Sequence, residues 1–202
     1  MLAEMFMNHA GVIVSCMLAG AMVLAAWARE SSTVPGRGAS ATATQPATMP
    51  LASTAFTNGQ PIPKRYTADG ENISPPLSFT AVPEAAKQLA LIMDDPDAPI
   101  GTWDHWILYG IPAGTKELNE GLSAQRKNVH PSDMVEGKNS WRHNGYEGPE
   151  PPAGKPHRYY FRLYALDAPL DLKAGASKKE LLEAMNGHVI AQGELMGMYK
   201  RP

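Results

Sequence analysis

The stretch from Gln88 to Ile111 reads QLALIMDDPDAPIGTWDHWILYGI and decides the fold. It holds two apolar runs separated by a loop of Asp, Pro and Gly residues. Short apolar runs that are rich in β-branched and aromatic residues and bounded by turn residues are typical of buried strands. The stretch therefore predicts one strand over Gln88–Met93 and another over His105–Ile111.

The sequence on the C-terminal side repeats this pattern. Arg158–Leu166 is aromatic-rich, and His188–Tyr199 is an apolar stretch interrupted by glycine. Both predict strands, and Pro- and Gly-rich loops separate them from the earlier ones. One helix is predicted after the capping box Ser177–Glu180, with an apolar face of Leu181, Leu182 and Met185 and an end at Gly187. The fold class is therefore mostly β with minor α.

The composition indicates one globular domain without a strong overall field. The chain has 202 residues, of which 44% are hydrophobic and 19% are charged, and its net charge is −2. So small a net charge attracts neither nucleic acid nor an anionic membrane surface. A site for an anion therefore has to depend on nearby side chains and not on the overall charge. Cys16 is the only thiol, which excludes an intramolecular disulfide or a thiolate metal site in the rest of the chain.

The N-terminal segment predicts export. Residues 11–28 form an uncharged apolar run that ends in Ala26-Trp27-Ala28, which favours a signal peptide cleaved after Ala28. No Lys or Arg precedes Gly11, so an uncleaved membrane anchor stays open as the alternative. We expect residues 1–28 to be this segment, 29–52 a flexible Ala/Thr/Ser/Pro-rich linker and 53–202 the folded domain, in the periplasm or outside the cell.

Three segments carry residue types suited to chemistry. Carboxylates follow the first strand in the Asp94–Pro99 loop, although this segment alone is more typical of an ordinary Asp-Pro turn. Trp103 and His105 share one face of the second strand, since side chains alternate along a strand. His157 and Tyr159 share a face after the loop GYEGPEPPAGKP. Each pair alone also fits core packing.

Taken together, the motifs DPDAP (95–99), GTWDHW (101–106) and GPEPPAGKPHRYYFRLYALD (148–167) resemble the phosphatidylethanolamine-binding protein family, especially its bacterial Raf kinase inhibitor-like branch. The resemblance covers most of residues 56–200 and extends to RYTADGENISPPL (65–77) and GHVIAQGELMG (187–197). It implies a large antiparallel sheet packed against a smaller sheet and a few helices.

The resemblance also implies a small anion pocket and no catalytic residue, metal or cofactor. The ligand would be phosphate, phosphoethanolamine, an acetate-like group or a phosphorylated partner segment. Protonated His105 or His157, the Tyr159 hydroxyl and backbone N–H groups near Gly148 would donate to it, and Asp95 would orient a histidine or meet an ammonium group. The residues that match the pocket of the family are Asp95, Pro99, Trp103, His105, Gly148, Pro152, His157 and Tyr159.

Alternatives stay open at this point. The resemblance to eukaryotic relatives allows an inhibitor or regulator of a kinase or protease that acts through a protein surface, and bacterial relatives are often homodimers. Asp95, His105 and His157 are also the residue types of an acid/base or metal-dependent hydrolase, although no known catalytic motif accompanies them. Relatives often have cysteines at the positions of Ala68 and Glu150, and we expect the Glu150 charge to weaken anion binding.

Overall fold

The computed structural model describes residues 45–123 and 134–202. The predicted signal segment or anchor, residues 1–28, lies outside the described residues, as does the predicted linker up to residue 44. No helix in the described part of the chain is long and apolar enough to cross a membrane.

The described residues form two sheets and one α-helix. In chain order the elements are β1 (Ala47–Thr48), β2 (Leu51–Ala52), β3 (Leu77–Phe79), β4 (Gln88–Asp95), β5 (Trp103–Pro112), β6 (Glu117–Leu118), β7 (Val135–Glu136), β8 (His157–Leu166), α1 (Lys178–Met185) and β9 (Val189–Tyr199). The larger sheet has the order β1-β9-β8-β4-β5-β7, and the smaller has the order β2-β3-β6. All pairs are antiparallel except β1 with β9.

The four predicted strands are confirmed as β4, β5, β8 and β9, the longest in the described residues. Every residue of β4 is buried, because both faces of the large sheet are covered. One face packs into the main core, which contains Met93 and Phe161. The other face, which contains Ile92, packs against α1. A strand covered on both sides reads as a continuous apolar run, which is why periodicity in the sequence identified it.

Helix α1 begins where the capping box predicted. The Ser177 side chain accepts from the Glu180 N–H, and the Glu180 carboxylate accepts from the Ser177 N–H at 2.7 Å. Leu181 and Met185 are buried against the sheet. The prediction that Leu182 belongs to the apolar face is wrong, since this side chain is 42% exposed. It is rotated by about 100° from Leu181 and therefore leaves the buried stripe.

The folded part begins before the predicted boundary at residue 53. Strands β1 and β2 lie within residues 45–52, and Met49 between them is 1% exposed. The Met49 N–H donates to the Gln192 carbonyl at 2.8 Å, which joins this segment to β9. Two-residue strands carry too little periodicity to be recognised in a sequence rich in Ala, Thr and Pro.

A register shift in the β4–β5 pair positions the site. Met93 pairs with Trp106 and Asp94 with Asp104, so β5 holds one extra residue, His105, between these pairs. An inserted residue of this kind bends the strand and redirects side chains, and bulges are common beside functional sites. The shift lies where the C-terminal end of β4 meets the N-terminal ends of β5 and β8.

Candidate functional site

A cavity of about 230 Å³ opens at this meeting point of β4, β5 and β8. Of the eight pocket residues expected from the sequence, seven line this cavity and Gly148 does not. Ala98, Ile100, Trp141, Glu150 and Pro151 complete the lining. The residues at the bottom of the cavity are buried, with exposures of 3% for Asp95, 2% for His105, 8% for His157 and 0% for Tyr159.

Asp95 and His157 form a buried pair in the cavity wall. The His157 Nδ1 lies 2.8 Å from Asp95 Oδ2, while Asp95 Oδ1 accepts from the Asp97 N–H at 2.8 Å. An ionised carboxylate only accepts, so the hydrogen of this pair lies on Nδ1 of the histidine. The geometry matches one of the two roles expected of Asp95, that of orienting a histidine.

The other carboxylates of the loop bind protein groups. Asp97 accepts from the Arg158 N–H at 3.0 Å and from its Nε at 2.8 Å and Nη2 at 2.6 Å. The Arg158 guanidinium holds the pKa of Asp97 at about 2. The loop after β4 is therefore fixed to the start of β8 at two successive residues, His157 and Arg158.

Asp94 points away from the cavity because side chains alternate along β4. Its oxygens accept from Arg162 Nη1 and Lys178 Nζ, each at 2.6 Å. Lys178 Nζ also donates to Asp104 Oδ1 at 2.9 Å. This partly buried network joins α1 to β4 and β5 behind the site, so Asp94 supports the cavity without lining it.

His105 lines the cavity as a neutral ring. Its Nδ1 lies 2.7 Å from the Glu147 carbonyl oxygen, which only accepts, so Nδ1 carries the hydrogen. Burial lowers the pKa of His105, against the opposing effects of that hydrogen bond and of Asp95. The lowered pKa favours the neutral ring over the protonated His105 that was expected to donate to an anion. Its Nε2 keeps a lone pair and makes no hydrogen bond among the described residues.

Tyr159 brings a free hydroxyl to the bottom of the cavity. This hydroxyl is buried, and no group among the described residues hydrogen bonds to it. Burial raises the pKa of Tyr159, and the charge of nearby Asp95 and an interaction of the hydroxyl with that carboxylate raise it further, so the hydroxyl keeps its proton. The His105 ring packs edge-on against the Tyr159 ring at a centroid distance of 5.2 Å. The Tyr159 hydroxyl is therefore a donor near the Asp95 carboxylate that lacks a well-formed hydrogen bond to any described group.

The N–H of Gly148 itself is not free to donate to a ligand. It donates to Asn72 Oδ1 at 2.7 Å and is therefore already used. A Cβ at this position would lie 2.6 Å from the Tyr66 carbonyl oxygen and 2.7 Å from Thr67 Cα. The glycine is required here for close approach of two backbone segments.

Trp141 is a site residue that the sequence reasoning missed. Its ring meets Trp103 at 5.3 Å and His105 at 5.0 Å, both edge-on. Asn139 holds the loop, because its Oδ1 accepts from the N–H groups of Trp141 at 3.1 Å and His143 at 3.0 Å. An indole in an otherwise polar, turn-rich segment was the available signal.

The charge of Glu150 at the rim is balanced by Arg201. Arg201 Nη2 donates to Glu150 Oε1 at 3.0 Å and to Asp69 Oδ1 at 2.8 Å. The Ala68 N–H donates to the Pro149 carbonyl at 3.1 Å, so positions 68 and 150 lie on adjacent segments. Within the described residues an ion-pair cluster therefore joins these two segments.

No group of three or more His, Cys, Asp or Glu residues within 45–123 and 134–202 is arranged to hold a metal ion. The cavity contains hydrogen-bonding groups of both kinds. Tyr159 is a donor, His105 and Asp95 are acceptors, and Trp103 and Trp141 form flat apolar walls. Such a site suits a small polar ligand.

The sequence model of the phosphatidylethanolamine-binding protein family matches residues 52–200. A UPF0098 protein of Methanothermobacter thermautotrophicus is 52% identical over 76% of this chain and 99% of its own length. The crystal structure of a putative phosphatidylethanolamine-binding protein homologue from Chlamydia trachomatis is 46% identical, with coverage of 77% and 99% and a TM-score of 0.69. The crystal structure of Escherichia coli YbcL, described as a new member of the mammalian family, has a TM-score of 0.72. It is 28% identical in sequence, and the match covers 76% of this chain and 99% of YbcL. The chain therefore belongs to the phosphatidylethanolamine-binding protein family.

Proposed function

We propose that the cavity binds a small phosphorylated or carboxylated group without chemical turnover. The observation that carries this proposal is the Tyr159 hydroxyl, which is buried and has no hydrogen-bond partner among the described residues. A buried donor without an acceptor costs about 1–3 kcal/mol, so such a group usually has a function. An anionic oxygen of a ligand is the acceptor that fits it.

The Asp95–His157 pair supports the same assignment. Asp95 holds the Nδ1 side of His157 at 2.8 Å, which leaves Nε2 as the free nitrogen of the ring. When the ring is cationic, Nε2 donates a second hydrogen bond to the ligand anion, and Asp95 stabilises the cation. A ligand oxygen would then be bound by Tyr159 and His157 together.

The lining favours binding over covalent catalysis. Among the described residues that line the cavity, none is Ser, Thr, Cys or Lys. Asp95, the buried carboxylate, already accepts from His157 and from the Asp97 N–H. The proposal of a non-catalytic binding protein therefore agrees with the family to which the chain belongs.

Calorimetric titration of the full chain with phosphate, phosphoethanolamine and acetate tests the proposal. Tyr159→Phe removes the hydroxyl and leaves the ring, and we expect it to weaken binding by at least about tenfold, since hydrogen bonds to charged groups contribute about 1.5–3 kcal/mol. Tyr146→Phe is the matched control, because its hydroxyl donates to the Tyr66 carbonyl and does not line the cavity. Equal affinities of the wild type and Tyr159→Phe would refute the assignment.

A further inference from the structure

The free hydrogen-bonding atoms of the cavity include an acceptor that an anion does not satisfy. The hydrogen of His105 is on Nδ1 because the Glu147 carbonyl oxygen lies 2.7 Å away. The remaining nitrogen, Nε2, therefore presents a lone pair, and the ring is only 2% exposed. An anionic oxygen placed against Nε2 would bring two acceptors together.

Asp95 adds further acceptor capacity. Its two oxygens each accept one hydrogen bond from the protein, and each carboxylate oxygen has a second lone pair. No Lys or Arg is among the described residues that line the cavity, and the rim carries a second carboxylate, Glu150. The Tyr159 hydroxyl is a donor that keeps its proton. The cavity thus combines few donors with several acceptors.

We propose that the cavity selects an acidic group that still carries a proton, as in hydrogen phosphate or the monoanion of a phosphomonoester, and that His105 Nε2 accepts this P–OH hydrogen. The inference rests on the proposed function and adds the chemical form of the ligand. Tyr159 donates to an unprotonated oxygen of the same group. Each of these two buried side chains then has a partner.

The proposal separates ligands of similar size and shape. Hydrogen phosphate and a phosphomonoester monoanion have a P–OH group, whereas sulfate at neutral pH and a phosphodiester have none. A site built to hydrogen bond a hydroxyl rejects an analogue that lacks it by large factors, since its buried polar group is left unpaired. We expect at least about 100-fold preference for phosphate over sulfate, well within the range known for such sites.

The charged and titratable groups around His105 keep the acceptor in place at neutral pH. Asp95 at the end of β4, Asp104 next to it in β5, and His157 and Tyr159 at the start of β8 are the nearest such groups. Asp94 and Asp104 are held by Lys178, and the Glu147 carboxylate accepts from Asn72 Nδ2 at 2.8 Å. The negative charges favour a proton on His105, but burial acts more strongly and lowers its pKa. His105 therefore stays an acceptor at neutral pH.

The test is calorimetric titration of the full chain with inorganic phosphate, sulfate, methyl phosphate and dimethyl phosphate at pH 7. Methyl phosphate is then titrated at pH 5.5 and 7.5. Its monoanion fraction falls by about 25-fold between these values, because the second pKa of a phosphomonoester is about 6. We expect its affinity to fall by at least this factor. Phosphate should bind, whereas sulfate and dimethyl phosphate should bind at least about 100-fold more weakly.

Two variants assign the effect to His105. His105→Phe keeps a ring but removes the acceptor, so the ratio of phosphate to sulfate affinity is expected to fall close to one. His188→Phe is the matched control, since His188 pairs with Asp167 on the surface and does not line the cavity. It is expected to keep the wild-type ratio. The wild-type ligand series tests the proposal without depending on the folding of either variant.

The outcomes separate this proposal from the proposed function. Equal affinities of the wild type for phosphate and sulfate would overturn the selection of a protonated group and leave anion binding intact. Binding of dimethyl phosphate as tightly as methyl phosphate would show that no P–OH group is needed and would also overturn it. Absence of binding by all of these compounds would overturn both proposals.

Discussion

The unpartnered hydroxyl of Tyr159 predicts an unusual effect on stability. Tyr159→Phe removes a buried polar group that has no partner among the described residues, and it leaves the ring in contact with His105. Most large substitutions in a core destabilise a protein. Here we expect the free energy of unfolding to stay unchanged or to rise, while ligand binding weakens by at least about tenfold.

The expected magnitude follows from the cost of burying an unsatisfied hydroxyl. Tyr159 is 0% exposed, so its hydroxyl loses its bulk hydration when the chain folds. Such a loss costs about 1–3 kcal/mol, and removal of the hydroxyl returns up to this amount. In a protein of this size, each 1 kcal/mol corresponds to about 2–4 °C in Tm. Urea unfolding and thermal melting of the ligand-free chain measure the change.

Tyr146→Phe is expected to change the free energy of unfolding in the opposite direction. Tyr146 is as buried as Tyr159, but its hydroxyl donates to the Tyr66 carbonyl at 2.5 Å. Its removal leaves that carbonyl without this donor and is expected to cost about 1–3 kcal/mol. If Tyr159→Phe destabilises the chain as much as Tyr146→Phe does, the Tyr159 hydroxyl has a partner in the free protein. The hydroxyl would then need no acceptor from a ligand.

Further substitutions and a change of pH test other parts of the structure. Asp94→Asn removes the carboxylate that joins Arg162 to Lys178, while Glu194 and Asp104 still accept from these two side chains. It should lower the free energy of unfolding by about 1.5–3 kcal/mol in urea titrations, since hydrogen bonds to charged groups contribute about this amount, and a change below about 1 kcal/mol would contradict the network. Gly148→Ala should lower the free energy of unfolding by at least about 2 kcal/mol, because backbone atoms lie within 3.0 Å of the added Cβ. At Gly114 an added Cβ meets nothing within 4 Å, so Gly114→Ala should leave the free energy of unfolding nearly unchanged in the same assay. The pKa of His105 is lower in the folded state than its ordinary value of 6.5, so the unfolded chain takes up this proton first and stability should fall as the pH drops below about 6.5. Urea unfolding at pH 7.5 and 5.5 should show a smaller decrease for His105→Phe than for the wild type; an equal decrease would exclude His105 as its cause.

The parts of the fold that the sequence predicts are those with repeated, local signals. Strands β4 and β8 are long apolar runs, and α1 starts with a capping box whose two hydrogen bonds form within four residues. β1 and β2 are two residues long, and their pairing depends on strands far away in the chain. Nothing within residues 45–52 specifies that pairing, so the sequence placed the boundary too late.

The same distinction applies to the site. Alternation along a strand suffices to place Trp103 on the same face as His105, and His157 on the same face as Tyr159. All four residues line the cavity. The protonation of His105 depends on the Glu147 carbonyl, 42 residues away, and on burial. These are properties of the packed structure, which a motif does not contain.

The three carboxylates at the end of β4 and in the following loop each have a partner, so an acidic segment is compatible with the proposed anion site. Asp94 pairs with Arg162 and Lys178 on the helix side of the sheet. Asp97 pairs with Arg158, which lies at the start of β8. Asp95 is the one that lines the cavity, and His157 accompanies it at 2.8 Å. In the proposed complex, an anion faces a carboxylate whose charge a histidine can balance. If that histidine takes up a proton as the ligand binds, the pair becomes a donor, and the negative charges on either side of it remain compensated by their own partners.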